Sequence, residues 1–503
     1  MIEDGEEAKF KKFGKLRSYI WPIHYCEIKR FLPTSFMMFC ALFIFALTRD
    51  LKDAVLINAP GAEPACISSL KIYGVLPMAV LSVVLFGKIL RKFGDKNAFY
   101  IVISTFLVFY TFFGLVLYPM SDSIHLGKPW IENMQSNFPP ITRDLWPLFA
   151  NWSFSLFYIL SEVWGSLVLS FLFWQFANKV TKQNEVGRFY ALFAFIGNIA
   201  LILSGFFAKI TISFSDNVRV ATQMMAILVI GLIFMALHYY VDKKVLRGMS
   251  FYNKIQTKST KLGFFQSFKC VVKSRYLFFI AILVISYGVA VNISEVIWKE
   301  QGKLLHGSEG KFNGMMSDLS ITTGVVTIFV TMICGSILRK CKWKTAALIT
   351  PISVLLLGGA FLVLIFYENI VGTEAKFFTL GIVEIAVWVG LVQDAVSKGI
   401  KYSLFDCTKQ MAYRPLSEEA KANGQAAVEV IGSRFGKSLG SISIIGIRAL
   451  CGGKVPLYSI VSFLSLILLI VIGTWIWSVL GLSKQYEILQ SEKDHDYDKK
   501  KTA

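Results

Sequence analysis

Long apolar runs alternate with short charged connections along the chain. Twelve of these runs come close to the roughly 20 residues an α-helix needs to cross a bilayer. They cover 31–48, 70–90, 98–118, 147–176, 189–207, 221–240, 276–298, 319–338, 345–366, 377–396, 426–447 and 456–480. The fourth is long enough to tilt. The tenth and eleventh are diluted by Glu384, Asp394, Glu429, Arg434 and Lys437. The pattern predicts an all-α membrane protein of twelve transmembrane helices in two six-helix halves. A tail over 1–30 precedes a first half over 31–240. A basic linker over 241–275 then leads to a second half over 276–480 and a tail over 481–503.

Composition narrows the class further. Mean hydropathy is +0.57, and only 17% of the 503 residues are charged, too few to cover a soluble chain of this length. A net charge of +19 would suit a nucleic-acid partner, but its distribution argues against one. The two tails and the even-numbered connections hold 36 basic residues, and the odd-numbered connections hold 12. That asymmetry places both termini in the cytoplasm and makes the lipid bilayer the expected surface partner. The first span is too long for a cleavable signal's apolar core. Eight cysteines and five histidines are scattered without metal-site or disulfide spacing, so no metal, cofactor or catalytic constellation is expected. The polar stretch after Gly481 reads as a partly disordered tail.

The halves echo each other. Gly87-Lys88-Ile89-Leu90-Arg91-Lys92 follows span two, and Gly335-Ser336-Ile337-Leu338-Arg339-Lys340 follows span eight. A fainter echo sets Ile196-Gly197-Asn198 in span five against Ile431-Gly432-Ser433 in span eleven. Paired six-helix repeats with a basic turn after the second and eighth helices resemble the plan of the major facilitator superfamily. That plan implies a binding site near the midplane between the halves.

Charges inside the spans are the candidate chemistry, because a basic side chain at the bilayer centre costs about 2.5–3.5 kcal/mol on insertion scales. Span four carries Ser155, Tyr158, Glu162, Ser166 and Ser170 at intervals of three and four, one polar stripe on a long apolar helix. It is either a close helix seam or a cavity wall. Span seven carries Gly288, Asn292, Glu295 and Lys299 in the same way, with Glu295 near enough to its end for exposure at the interface. Lys71 opens span two, where it can reach the headgroups or turn inward. In span eleven Glu429, Ser433 and Lys437 share a stripe beside Arg434. The two cations suit phosphate, Arg as a planar fork and Lys as a point charge. They equally suit an internal pair, for instance Lys437 with Glu162.

The string Gly432 to Ser438 reads G-x-x-x-G-K-S, one residue short of a phosphate-binding P-loop. A P-loop follows a strand, and this string lies in an apolar helix, so an ATPase is not expected.

Longer strings then carry a specific resemblance. They are Ser161-Glu162-Val163-Trp164-Gly165-Ser166, Leu172-Phe173-Trp174-Gln175-Phe176-Ala177-Asn178, Val291-Asn292-Ile293-Ser294-Glu295-Val296-Ile297-Trp298-Lys299, Lys401-Tyr402-Ser403-Leu404-Phe405-Asp406 and Lys421-Ala422-Asn423-Gly424-Gln425-Ala426-Ala427-Val428-Glu429-Val430. Together they resemble the ADP,ATP carriers of plastids and obligate intracellular bacteria, from about Trp21 to Leu482. The resemblance implies a nucleotide antiporter, not an enzyme, in the inner membrane of a bacterium. It would import host ATP against ADP without hydrolysis. The positions it marks as important for transport fall on Lys71, Glu162, Glu295 and Lys437. Arg434 and Asn198 join them as expected substrate contacts. Departures at Gly197, Leu439 and Arg414 leave the base open, so GTP, CTP and UTP stand beside ATP and ADP as expected cargo. The rival from a different mechanism is a proton-coupled carrier of another small anion, with Glu162 or Glu295 titrating.

Overall fold

The computed structural model describes residues 21–181, 185–245, 274–374, 376–377, 380–413, 415–416, 428 and 432–502, and in them the apolar runs are helices. Inside lipid a backbone must satisfy its own hydrogen bonds, and an apolar run of this length does so as a helix. We number twelve long helices among the described residues. They are α1 Ile28–Asn58, α2 Cys66–Gly94, α3 Lys96–Leu117, α4 Trp152–Val180, α5 Val186–Ile210, α6 Asp216–Tyr240 and α7 Arg275–His306. They continue with α8 Glu309–Lys340, α9 Trp343–Val371, α10 Ile382–Ile400, α11 Ser433–Leu450 and α12 Val461–Thr502. Ten of them are long and apolar enough to span a membrane. The other two, α10 and α11, are 19 and 18 residues long and carry the diluting charges. Gly94, at φ 75°, separates α2 from α3, and Gly307, at φ 60°, ends α7.

Several boundaries differ from the hydropathy reading, each for a local reason. α1 continues past residue 48 to Asn58, because Arg49, Asp50, Lys52 and Asp53 are paired and buried rather than solvated. α7 likewise runs on through Lys299 to His306. Leu145–Ala150 forms a short helix of its own. It is set off from α4 by Asn151, whose amide donates to the carbonyls of Pro60 and Pro147. α10 starts at Ile382, after a two-stranded ribbon that pairs Lys376 with Gly381. The segment after Gly481 continues α12 as helix to Thr502, in keeping with its Lys, Glu and Gln content. Residues 246–273 of the basic linker, and 417–427 and 429–431 with Glu429, lie outside the described residues.

Helices approach most closely where glycine removes a side chain. A Cβ on Gly205 of α5 would stand 2.8 Å from the Ser317 carbonyl of α8, and one on Gly324 of α8 would stand 2.9 Å from the Asn198 carbonyl of α5. Two buried indoles pin the central helices. Trp164 of α4 donates to the carbonyl of Ala41 in α1, and Trp298 of α7 to that of Val387 in α10.

Candidate functional site

The first site residue of the chain opens a widened turn. Lys71 begins a π-helical segment, Lys71–Val75, inside α2. Such segments release one backbone hydrogen bond and recur at functional positions. Its side chain turns inward rather than to the headgroups. It is 8% exposed, and Nζ donates to Asn292 Oδ1 at 2.6 Å and lies 3.9 Å from Glu295 Oε2.

The polar stripe of α7 therefore faces the interior. Gly288 packs on α11, and Asn292 bonds both Lys71 and Ser441. Glu295 takes Lys299 at 3.3 Å and Lys398 of α10 at 3.5 Å. Interface exposure of Glu295 is not what the structure has, since its side chain is 14% exposed among three lysines.

A series of ion pairs then crosses the bundle. Glu162 of α4 pairs with Lys52 of α1 at 3.1 Å, and Lys52 with Asp53 at 3.2 Å. Asp53 reaches Lys299 of α7 at 3.0 Å, and Lys299 passes the contact to Glu295. Lys398 links Glu295 to Asp394 at 2.8 Å. Lys52 also sits 3.6 Å above the ring of Tyr158, a cation–π seat supplied by the α4 stripe. Beside it Arg49 pairs with Asp50 at 3.1 Å, and both bond Ser320 of α8. Lys52, Asp53, Lys398 and the Arg49–Asp50 pair are members that the hydropathy reading assigned to loops or passed over.

On α11 the string that imitates a P-loop is a packing surface. A Cβ on Gly436 would come within 2.6 Å of the Ile285 carbonyl, and one on Gly440 within 3.2 Å of the Val289 carbonyl. This contact with α7 sets Arg434 and Lys437 beside the cluster. Arg434 lies 3.9 Å from Glu162, and Lys437 is within electrostatic reach of Lys71, Glu162 and Glu295. The expected Lys437–Glu162 pair is not formed among the described residues; Glu162 takes Lys52 at Oε1 and lies near Arg434 at Oε2. Lys437 is exposed and has no ion-pair partner among the described residues. Six cations (Lys52, Lys71, Lys299, Lys398, Arg434 and Lys437) face four carboxylates (Asp53, Glu162, Glu295 and Asp394), an excess of two positive charges among the described residues.

Asn198 stands apart from this cluster. Its amide donates to the Ala194 carbonyl one turn back in α5, at the seam with α8.

A bundle of membrane-length helices holding a net-positive cluster among its described residues marks a multi-pass membrane transporter. At the level of fold, the chain superposes on a bacterial homologue of the iron transporter ferroportin in its inward-facing state. The TM-score is 0.57 at 12% identity, over 92% of this chain and all of that one. The particular family is the TLC ATP/ADP transporter family, whose pattern matches residues 6–486, and the chain belongs to it. It is 36% identical over 502 residues to ADP,ATP carrier protein 1 of Chlamydia pneumoniae, covering 97% of each chain. To ADP,ATP carrier protein 1 of Rickettsia bellii it is 37% identical over 487 residues, covering 95% of this chain and 97% of that one. It is thus a multi-pass bacterial membrane protein of a carrier family.

Proposed function

We propose that the chain is a nucleotide antiporter that takes up ATP and releases ADP by alternating access, without hydrolysis. The observation that carries this reading is the excess of two positive charges among the described residues, on Arg434 and Lys437, in a cluster otherwise balanced by its own carboxylates. Such an excess in a low-dielectric interior favours a polyphosphate. Lys71, Arg434 and Lys437 contact the phosphates. Glu162 and Glu295 hold the empty site together and meet the ribose or base when it fills. Asn198 would reach the nucleotide from α5, where one amide N–H is held by the Ala194 carbonyl and the other N–H and Oδ1 are left for a ligand.

In this reading all twelve helices cross the membrane as two halves, 31–240 and 276–480. The linker 241–275 and the tails 1–30 and 481–503 are cytoplasmic, as the basic asymmetry favours. The halves rock about the central site, with α1 and α7 as the facing helices.

Uptake of labelled ATP, GTP, CTP and UTP into vesicles preloaded with each nucleotide tests the proposal. ATP uptake driven by internal ADP is the expected result. Equal uptake of all four would widen the cargo to ribonucleotides in general. Uptake that needs a proton gradient and no internal nucleotide would replace the antiporter with a proton-coupled carrier.

A further inference from the structure

At the end of the bundle that carries the α1–α2 connection, a row of contacts ties α7 and α11 to the first half. Its cations Lys299, Lys303 and Arg448 belong to α7 and α11, and its cross-half acceptors Asp53, Ile57, Ala62, Glu63 and Asp144 to the first half. Innermost, Lys299 meets Asp53 at 3.0 Å. One turn further, Lys303 donates to the carbonyls of Ile57 at 2.8 Å and Ala62 at 2.6 Å. Outermost, Arg448 holds Asp144 at 2.8 Å and Glu63 at 2.6 Å, with its Nε on the carbonyl of Val455. Arg448 is 3% exposed, and its guanidinium is taken up by the carboxylates of Glu63 and Asp144, both in connections, and by the Val455 carbonyl.

A cavity of about 450 Å³ opens beside this row, lined by Glu63, Glu300, Lys303 and Lys454 among others. Glu300 is fixed there by the backbone N–H groups of Leu457 and Tyr458 at 2.9 and 3.0 Å. Glu63, in contrast, is half-exposed, and Lys454 is exposed with no ion-pair partner among the described residues. Two carboxylates on one guanidinium, beside a free ammonium, occupy the positions that phosphate oxygens would take.

We propose that this mouth is a second anion site, separate from the central one, in which Glu63 and Asp144 hold Arg448 until a polyphosphate replaces them. The site deepens the antiporter reading and rests on its anionic cargo. Parting α1 from α7 and α11 frees Arg448, Lys303 and Lys299 in succession. Lys303 and Lys299 lie about 6 Å apart along one face of α7. The three cations form a path from the mouth toward Lys71 and Arg434. The seal and the anion path are then the same residues, and an anion arriving at the mouth competes with the contacts that keep it shut.

Cys66 reports on this event. It is 1% exposed, its sulfur accepts the N–H of Glu63 at 3.4 Å, and it lies within electrostatic reach of Asp144 and Arg448. The experiment uses the full-length protein in vesicles with Cys451→Ser, which removes the exposed thiol of the connection that follows α11. A membrane-impermeant maleimide is added on the mouth side, and the rate of Cys66 modification is followed alone, with inorganic tripolyphosphate and with adenosine. Tripolyphosphate is expected to speed modification about tenfold, the equivalent of one charged hydrogen bond, and adenosine to leave it unchanged. Glu63→Gln with Asp144→Asn should give the fast rate without any anion. Should that pair not fold, Glu63→Gln alone tests the same contact from a half-exposed position. Lys437→Ala should keep the tripolyphosphate response. No acceleration by tripolyphosphate, no acceleration in the carboxylate variants, or a response lost in Lys437→Ala would each overturn the proposal. If the protein without substitutions shows the response but exchanges no nucleotide, the mouth site stands and the antiporter reading falls instead.

Discussion

Asp53 of α1 and Lys299 of α7 stand 3.0 Å apart, each side chain 1% exposed, and they join the two helices that face each other across the bundle. Neither charge can be removed alone without leaving the other buried and short of a partner. Breaking such a pair from one side costs about 3–5 kcal/mol, whereas replacing both members is often near neutral. Asp53→Asn and Lys299→Met should each lower the thermal midpoint in detergent, and the double variant should recover much of the loss. Simple additivity of the two losses would show that the residues are not coupled.

How much of this was legible beforehand depended on where a charge sits in its apolar run. Glu162, Arg434 and Lys437 lie well inside runs, so insertion energetics alone singles them out. Lys299 falls on the polar stripe of span seven, whereas Lys52 and Asp53 lie beyond the end of an apolar run, and a charge there reads as the start of a loop. The signal that could have placed them is Leu51, Ala54, Val55, Leu56 and Ile57, apolar residues that carry the α1 pattern past Arg49 and Asp50. No periodicity could have chosen Lys52 rather than Lys437 as the partner of Glu162. That choice depends on the seat Tyr158 gives to Lys52, a contact between residues more than 100 positions apart.

The exposed ammonium of Lys437 makes the next expectation asymmetric. Lys437→Ala removes a cation that has no ion-pair partner among the described residues, so insertion and thermal stability should hold while exchange falls about tenfold or more. Lys437→Arg should also impair exchange, because a planar fork does not reproduce a compact ammonium. Near-normal exchange by Lys437→Ala would make it a bystander.

α11 is held against α7 by backbone contact, which can be tested without touching a charge. A Cβ at Gly436 would stand 2.6 Å from the Ile285 carbonyl, closer than real Cβ atoms come. Gly436→Val should therefore push α11 away, displacing Arg434 and Lys437, and should lower both stability and exchange. Gly446, one helix face away, has nothing within 4 Å of its Cβ position, so Gly446→Val should be tolerated. Equal effects of the two substitutions would count against the α7–α11 contact.

Orientation follows from basic residues in the connections, and the structure sharpens the contrast by taking Arg49, Lys52 and Lys299 out of the sparsely basic ones. Cysteines placed at Ser136, in the connection before α4, and at Thr257, in the basic linker, should therefore label from opposite sides. Ser136→Cys should react with an impermeant reagent added outside, and Thr257→Cys should not. The reverse pattern would invert the topology.

The final expectation separates exchange from simple uptake and turns on the state of the empty site. Without nucleotide, Arg434 and Lys437 retain charge that the cluster's carboxylates, among the described residues, do not balance. Enclosing that charge as the helices rock is unfavourable, because desolvation of an unpaired cation has no compensating partner. A bound polyphosphate supplies the partner, so the loaded bundle reorients and the empty one waits. Entering nucleotide is thereby coupled to leaving nucleotide with no energy source beyond the two gradients. Labelled ATP should enter vesicles preloaded with ADP or ATP at a rate at least about tenfold above empty vesicles, the factor that one unpaired charged contact represents. Preloading with adenosine should give little gain, since the nucleoside brings no charge to Arg434 or Lys437. Full uptake into empty vesicles, or equal stimulation by adenosine, would mean that the cations do not control reorientation and that the driving ion must be sought elsewhere.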